Sequence, residues 1–432
     1  MEKEKIAIIG SGISGITCSL FLSDKYDVHL YEKNNYLGGH TRTKNVIDGD
    51  FQHNIDTGFI VFNNKNYQDL NSLFNFLNIE TENSNMSFSV SIENPDLEYG
   101  GKNLLTLFAQ KKNIFSSDYI FFIYEIIKFY NHCKKISLTN EYLEQYTLDD
   151  FLTKYKYTDI LRDFHIYPIV SSIWSSNRDN VKKFPLKSFI NFFNNHGLFN
   201  LINRPQWKFV KGGSKKYIDS ILKKRLFKHY INKLVKKIQR NDNENFIIFE
   251  SNEKIKFNKI ILATHADQSL DILEKPTKNE NDILSKFKYS KNLAYLHSDI
   301  NFMPKRKSIW SSWNFQNKKR DQSNFSLTYW MNLLQNIPGE KDYFVTINPN
   351  NEPNNYLDKT TFEHPIFNPE TLLVQKKISE IQGLNNIWYC GSYCGHGFHE
   401  DGIQSSAYVA KLLGVDLPWK RNSNFINRLE YL

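Results

Sequence analysis

The chain is poor in cysteine and methionine, with four of each in 432 residues. Cys18, Cys133, Cys390 and Cys394 lack the paired spacing of a disulfide framework or a zinc ribbon, which argues against a secreted disulfide scaffold and a structural zinc domain. Long apolar runs are also missing. The best stretch, Tyr119 to Tyr130, contains Glu125 and Lys128 and falls short of the ~18 to 20 uncharged residues a spanning helix needs. A strand-like IAIIG begins at Ile6, where a secretory leader would place its apolar core, so a cytoplasmic setting is expected. No internal repeat and no low-complexity block interrupts the chain beyond scattered Asn runs. What is present is 40% hydrophobic, 15% aromatic and 23% charged, the composition of a packed protein of two or three domains.

Acidic residues are the scarcer charge, 46 against 55 Lys plus Arg, and the net charge is +9. The excess is local: Lys208 to Arg240 holds twelve basic residues and one acid, Asp219. Such a segment either attracts an anionic partner (nucleic acid, a phospholipid surface, cofactor phosphates) or is a solvated charged face. No nucleic-acid recognition motif accompanies it, so nucleic acid is not expected.

Along the chain, Ile6–Ile9, Ile13–Leu22 and Val28–Tyr31 read as strand, helix and strand, and a short helix is expected over Leu70–Leu77. Residues 76–204 read as mainly helical and aromatic. A hairpin-like pair is expected around Phe246–Phe249 and Lys259–Ala263, and alternating stretches such as SNFSLTYW and DYFVTI over 285–384 suggest an antiparallel sheet. Strand Ile387–Cys390, a Gly-rich turn and helix Ile403–Leu413 close the pattern. The expected fold class is therefore α/β plus α+β, with a Rossmann-like domain assembled from 1–75, 205–284 and 385–417. A second domain, from 76–204 and 285–384, would bind substrate or membrane, and 418–432 would form a tail.

The strongest chemical signal is Gly10-Ser11-Gly12-Ile13-Ser14-Gly15 between strand and helix. Gly10 permits a tight turn, Gly12 lets backbone approach a pyrophosphate, and Gly15 lets helix and strand pack closely. The pyrophosphate would sit at the helix N-terminus. Glu32 ends the next strand, where a carboxylate can accept from ribose hydroxyls, and Lys33 follows it. Gly38-Gly39-His40-Thr41-Arg42 offers a second close backbone approach, with Arg42 able to pair with phosphate. The third element, Trp388 to Gly414, places Asp401 as the expected N-cap of a helix aimed at the pyrimidine edge of an isoalloxazine. Two Gly-rich strand-turn-helix units at opposite ends of the chain suit FAD.

The segments GSGISG, LGGHTRT, IDTGFIVFNNKNY, IWSS, RPQWKFVKGGSKKY, ATHADQ, TYWMN and GFHEDG cover nearly the whole chain. On them it resembles the superfamily of flavin-containing amine oxidases, phytoene desaturases and protoporphyrinogen oxidases, with its GR2-type FAD domain. It is most similar to the bacterial NAD/FAD-binding branch and, within that, to the flavin-dependent fatty acyl desaturases of furan fatty-acid biosynthesis. The resemblance implies that Gly10, Gly12, Gly15 and Glu32 hold the ADP portion and that Gly38, Gly39, His40, Thr41 and Arg42 line the pyrophosphate and ring. His40 stands where Arg is more usual. Val235 would contact adenine through its backbone, Ala263 would end a strand near the cofactor, and Gly391, Gly402 and Ile403 would meet the pyrophosphate and flavin. Covalent relatives use a Cys upstream of the last motif. Cys390 and Cys394 lie inside it, so non-covalent FAD is expected.

His396 and His399 lack helical register and a third ligand, and no metal is expected. His399 or Glu400 could move a proton beside the flavin, or only orient the turn and hydrogen-bond the cofactor. Trp174 and Tyr393 are pocket candidates, along with Tyr329, Trp330 and Phe398, and His265 reads as a strand-end histidine. Leu104–Tyr130 and Ser188–Trp207 suit a membrane surface or ordinary core helices. The resemblance thus implies an oxidoreductase that desaturates methylated unsaturated acyl chains of phospholipids, peripheral to the inner face of an anionic membrane. Amine oxidation to an imine and a non-catalytic flavoprotein accessory to lipid modification are the other readings, and a homodimer is left open.

Overall fold

A computed structural model describes residues 2–136, 143–200, 204–241, 244–320 and 323–431. Five parallel strands form one sheet in the order Lys228–Tyr230, Asp27–Tyr31, Lys5–Ile9, Lys259–Leu262, Ile387–Tyr389. Ile8 lies opposite both Leu30 and Ile261, and Leu262 lies opposite Tyr389. The near-continuous apolar strands KIAII and KIIL suit a sheet covered on both faces. Ile6 and Ile8 pack on one side with helices Ile13–Leu22 and His399–Leu412. Ala7 and Ile9 pack on the other with Phe249 and Phe257 of a three-stranded antiparallel sheet.

That small sheet corrects the hairpin expectation. Glu244–Phe249 pairs with Val235–Asn241 and Lys254–Phe257, whereas Lys259–Leu262 joins the parallel sheet. Both strands are short and apolar, so their patterns did not distinguish a hairpin from a buried parallel strand.

A seven-stranded sheet runs in the order Asp358–Ile366, Lys288–His297, Phe344–Ile347, Ser326–Trp330, Trp313–Lys319, Phe88–Asn94, Leu97–Gly100. Every neighbouring pair is antiparallel except Trp313–Lys319 with Phe88–Asn94. Residues 76–204 are therefore not helical from their start: strands Thr81–Ser84, Phe88–Asn94 and Leu97–Gly100 precede the helices. Those helices, notably Ser117–Ile136 and Leu186–Asn195, bury Phe122, Phe129, Phe189 and Phe193 in one aromatic core with the sheet. Within Ser188–Trp207, helix Leu186–Asn195 buries Phe189, Ile190, Phe192 and Phe193, which agrees with the core-helix alternative for that part; residues 201–203 lie outside the described residues.

Five of the twelve basic residues on the expected basic face have an acidic partner. Lys211, Lys228, Lys233, Lys237 and Arg240 pair with Glu80 and Glu82, Asp27, Glu253, Glu274 and Glu280. The closing residues fold back onto the body. Arg421 pairs with Asp69, Arg428 with Asp401, and Leu429 is buried.

Candidate active site

The strand Lys5–Ile9 ends at Gly10, whose φ of +97° favours glycine and whose added Cβ would lie 2.7 Å from the Ala263 carbonyl oxygen. A Cβ at Gly15 would lie 1.8 Å from the Gly10 carbonyl oxygen. These two glycines serve packing. Gly12 differs, because a Cβ there meets no atom within 4 Å. It faces the cavity and is the N-cap of helix Ile13–Leu22, with no side chain capping that end. Open amide groups at a helix start are suited to an anion. Ser11, Ile13 and Ser14 border the same space, whereas Gly15 does not.

Glu32 is buried, and its carboxylate accepts from the Ser11 N–H at 3.0 Å, the Ser11 hydroxyl at 2.7 Å and the Asn34 N–H at 2.9 Å. A carboxylate has about four acceptor positions, which leaves one for a ribose hydroxyl. Lys33 and Val235 line this end with it, and Ala263 lines the next stretch.

The second glycine pair is stacked against the first loop. A Cβ on Gly39 would stand 3.0 Å from the Gly12 Cα, and the Gly38 N–H donates to the Ser11 carbonyl at 3.1 Å. Gly39 and His40 line the cavity; Gly38 and Thr41 do not. The His40 Nε2 is buried without a hydrogen-bond partner among the described residues, and burial pushes its pKa down to about 4. Arg42 is turned away from any phosphate by Asp358, which takes its guanidinium as an ion pair.

The third element also needs correction at its helix. The helix begins at His399, and its N-cap is Phe398; Asp401 sits three residues in, accepting the Phe398 N–H at 2.8 Å. Gly391 and Tyr393 line the cavity, and the buried Tyr393 hydroxyl has no partner among the described residues. Gly402 and Ile403 face the opening helix instead. A Cβ on Gly402 would lie 2.6 Å from Ile13 Cγ2 and 2.8 Å from Ser14 Oγ, and Ile403 is fully buried in the core behind.

His399 and Glu400 part company. The His399 ring lines the cavity, stacks on Phe59 at 3.7 Å between centroids, and approaches the Thr41 hydroxyl at 3.0 Å through Nε2. Burial, with His40 nearby, pushes its pKa down to about 3, so it is neutral at pH 7. Glu400 faces away from the cavity. Its two oxygens accept the Asp69 and Leu70 N–H groups at 2.9 and 3.0 Å, which caps helix Gln68–Phe76. Burial first, and the Asp69 charge second, raise its pKa to about 7. A role for Glu400 at the reactive face is therefore withdrawn.

All the lining residues border one cavity of about 1120 Å3. That exceeds the ~300 to 1,000 Å3 of an ordinary small-molecule pocket and leaves room for an elongated cofactor with a substrate beside it. Trp174 stands at its aromatic end, with Phe184, Phe192 and Phe398 at centroid distances of 4.4, 4.6 and 6.0 Å. Its Nε1 donates to the His396 carbonyl at 3.1 Å, which fixes the ring as a wall. Phe88, Trp207, Trp313 and Tyr329 also border the cavity. The lining carboxylates are Glu32, held by Ser11 and Asn34, Glu363, which faces His265 at 3.4 Å, and Asp271.

Several lining residues went unassigned in the sequence reading. Phe59 lies inside IDTGFIVFNNKNY, but nothing local foretold its stacking on His399. His364 and Phe362 come from strand Asp358–Ile366 and meet His40 at 5.2 and 5.0 Å. His265 is the N-cap position of helix Ala266–Asp271, stacks on Tyr289 at 4.3 Å, and also lines the cavity. An uncapped helix start, an open Gly12, and orphaned polar atoms on His40 and Tyr393 together fit an extended dinucleotide.

Residues 8–77 match the family described as NAD(P)-binding Rossmann-like domain. No curated protein matches the chain. Among solved structures, cyclohexylamine oxidase from Brevibacterium oxydans IH-35A is similar with a TM-score of 0.69 and 13% identity, over 95% of this chain and 100% of that one. A CLA-producing fatty acid isomerase from P. acnes gives 0.68 and 13%, over 95% and 98%. Putrescine oxidase bound to putrescine gives 0.67 and 13%, over 96% and 99%. The chain has the expected fold class, a Rossmann-like portion with an antiparallel-sheet and helical partner, and shares its fold with these structures.

Proposed function

We propose that this chain, which carries the amine-oxidase-type fold, is an FAD-dependent oxidoreductase that desaturates a methylated unsaturated acyl chain of a phospholipid. The observation that supports the substrate reading is the aromatic end of the cavity, walled by Trp174, Phe192, Phe398 and Phe88. An apolar chain gains from burial against such a wall.

The ADP portion of the cofactor would be held by Gly12, the start of helix Ile13–Leu22 and Glu32, with Lys33 and Val235 beside it. His40 and Tyr393 offer unpartnered polar atoms further along. Neither Cys390 nor Cys394 reaches the cavity lining, and both are buried in the protein core, which supports non-covalent FAD. When bound, the flavin supplies a hydride acceptor for the substrate carbon. His399 is the side chain placed to handle the second hydrogen as a proton. As a neutral imidazole fixed by Phe59 and Thr41, it would relay a proton rather than hold one, since burial opposes its charged form. Tyr217 extends this route, since its hydroxyl also contacts Thr41. Trp174 orients the chain and excludes water.

The test is anaerobic incubation of FAD-loaded protein with methylated unsaturated phospholipid, following flavin bleaching and the mass of the acyl chain. Bleaching with loss of two hydrogens is expected. Bleaching by cyclohexylamine or putrescine and not by lipid would move the reading to amine oxidation, the activity for which two of the structural neighbours are named. Bound flavin that no lipid and no amine reduces would make the chain a non-catalytic flavoprotein.

A further inference from the structure

Most large apolar side chains of this protein are buried, but one stretch breaks the pattern. Leu104, Leu105 and Phe115 are 72%, 84% and 92% exposed, and Phe121, Tyr124 and Ile127 are also exposed. These residues do not sit on a loose loop. Asn103 forms a capping box with Thr106 at the start of helix Leu104–Leu107. The Tyr119 hydroxyl donates to the Leu107 carbonyl, and the Tyr119 ring meets Phe108 at 5.7 Å, which ties that short helix to Ser117–Ile136.

Helix Ser117–Ile136 is apolar on two sides. Phe122, Ile126, Phe129 and Tyr130 turn into the aromatic core, whereas Phe121, Tyr124 and Ile127 turn outward. A helix that is apolar all round belongs in an interior or against lipid, and this one has protein on one side only. The charges around the outward face are one-sided. Lys102, Lys111, Lys112 and Lys128 are exposed within residues 101–131, where Asp118 is the one exposed acid and Glu125 is buried against Thr158; Lys112 is paired with Asp96, which leaves Lys102, Lys111 and Lys128 to outnumber Asp118. The face also adjoins the aromatic end of the cavity. The Gly101 N–H donates to the Phe88 carbonyl at 2.9 Å, and Phe88, Ser87 and Met86 line that cavity.

We propose that this surface docks the protein on an anionic phospholipid bilayer, with the apolar side chains entering the headgroup boundary and the lysines meeting lipid phosphates. Interfacial binding of this kind scales with buried apolar area plus attraction to anionic headgroups. A second copy of the chain would match the apolar part equally well, but two such faces would set lysines against lysines. That the docked bilayer also delivers the substrate rests on the acyl-chain reading above; the docking itself does not.

The experiment uses the full chain loaded with FAD and sedimented with phosphatidylglycerol/phosphatidylcholine vesicles, with phosphatidylcholine vesicles and with none. Pelleting with the anionic vesicles is expected, weakened several-fold by phosphatidylcholine alone or by high salt. The double substitution Leu105→Asp with Phe115→Asp should lower the vesicle partition coefficient at least about tenfold, with circular dichroism and the bound-flavin spectrum unchanged. Three results overturn the proposal: wild-type protein that stays in the supernatant, pelleting that survives the double substitution, or a solution dimer that the double substitution dissociates. Vesicle binding without any desaturation would leave the docking standing and count against the acyl-chain reading alone.

Discussion

Where Gly12 and Gly39 bring backbone to the cavity, its shape is set by missing side chains; where Trp174, Phe192 and Phe398 stand, it is set by large rings. At the first end the protein leaves a Cβ on Gly12 in open space, whereas a Cβ on Gly39 would stand 3.0 Å from the Gly12 Cα, which cannot swing aside. The second end is a wall of packed aromatics, where volume can be redistributed at a finite cost. The glycine end is therefore shaped by backbone, and the aromatic end by side chains that can repack.

The sharpest way to break this contrast is at the glycines. Gly15→Val drives carbon into the Gly10 carbonyl and should yield colourless, poorly folded protein. Gly12→Val meets nothing in the chain itself, so thermal melting of the cofactor-free protein should hold while flavin affinity falls by roughly a hundredfold. Equal loss of folding in both variants would sink the view that Gly12 answers to a ligand.

At the aromatic end, Trp174→Ala should cost ~3 to 5 kcal/mol of stability and raise the KM for the proposed acyl-chain substrate, with flavin titration little changed. Flavin loss matching that of Gly12→Val would erase the division between the ends.

The histidines lining the cavity between the two ends give a pH test. Burial holds His40 and His265 near 4 and His364 and His399 near 3, and His165 and His297, which are outside the lining, near 3 and 4. Each folded pKa lies below the unfolded value of ~6.5, so the unfolded chain binds more protons as the pH falls below that value. Asp56 and Glu400, both raised to about 7, and Asp267, raised by burial, oppose this, but His132, His196 and His396 are lowered as well, so nine histidines stand against three carboxyl groups. Stability should therefore fall from pH 6.5 toward pH 4, read as a declining Tm. A Tm that is flat across this range would contradict the buried neutral histidines.

A smaller effect is expected at Glu400. Glu400→Gln weakens the cap on the Asp69 and Leu70 N–H groups and should cost ~1 to 3 kcal/mol, leaving the pH profile of kcat unmoved because the side chain lies off the cavity. A displaced profile would return Glu400 to the chemistry. Smallest of all, Lys228→Gln removes an exposed partner of Asp27 and should shift the Tm by no more than about 1 °C.

The strand, glycine loop and helix from Lys5 to Leu22 were legible because neighbours in sequence determine them: apolar alternation, a turn that admits only glycine, and a helical stripe. The closing Gly-rich element was legible for the same reason, yet its helix start was misplaced by four residues. Asp401 has cap chemistry, but its register in the first turn depends on Phe398, and Arg428 pairs with it from the far end of the chain. Glu400 was misassigned because its partners, Asp69 and Leu70, lie more than 300 residues away. Arg42 was likewise claimed by Asp358. Strands Thr81–Ser84 and Phe88–Asn94 are polar or mixed, and their pairing with Trp207–Val210 and Trp313–Lys319 leaves no local trace.

By itself, the order of residues determined which backbone could turn tightly, which strands would be covered on both faces, and where a nucleotide's phosphates could approach a helix. Those outcomes follow from Cβ sterics and apolar periodicity, which act over a few residues. Tertiary structure alone decided which polar side chains remain free for chemistry. A buried carboxylate or guanidinium takes whichever partner the fold brings within 3 Å or so, because leaving it unpaired costs more than any local preference. Glu400 and Arg42 were spent on helix capping and ion pairing in this way, whereas His399, with Phe59 behind it, was left facing the cavity.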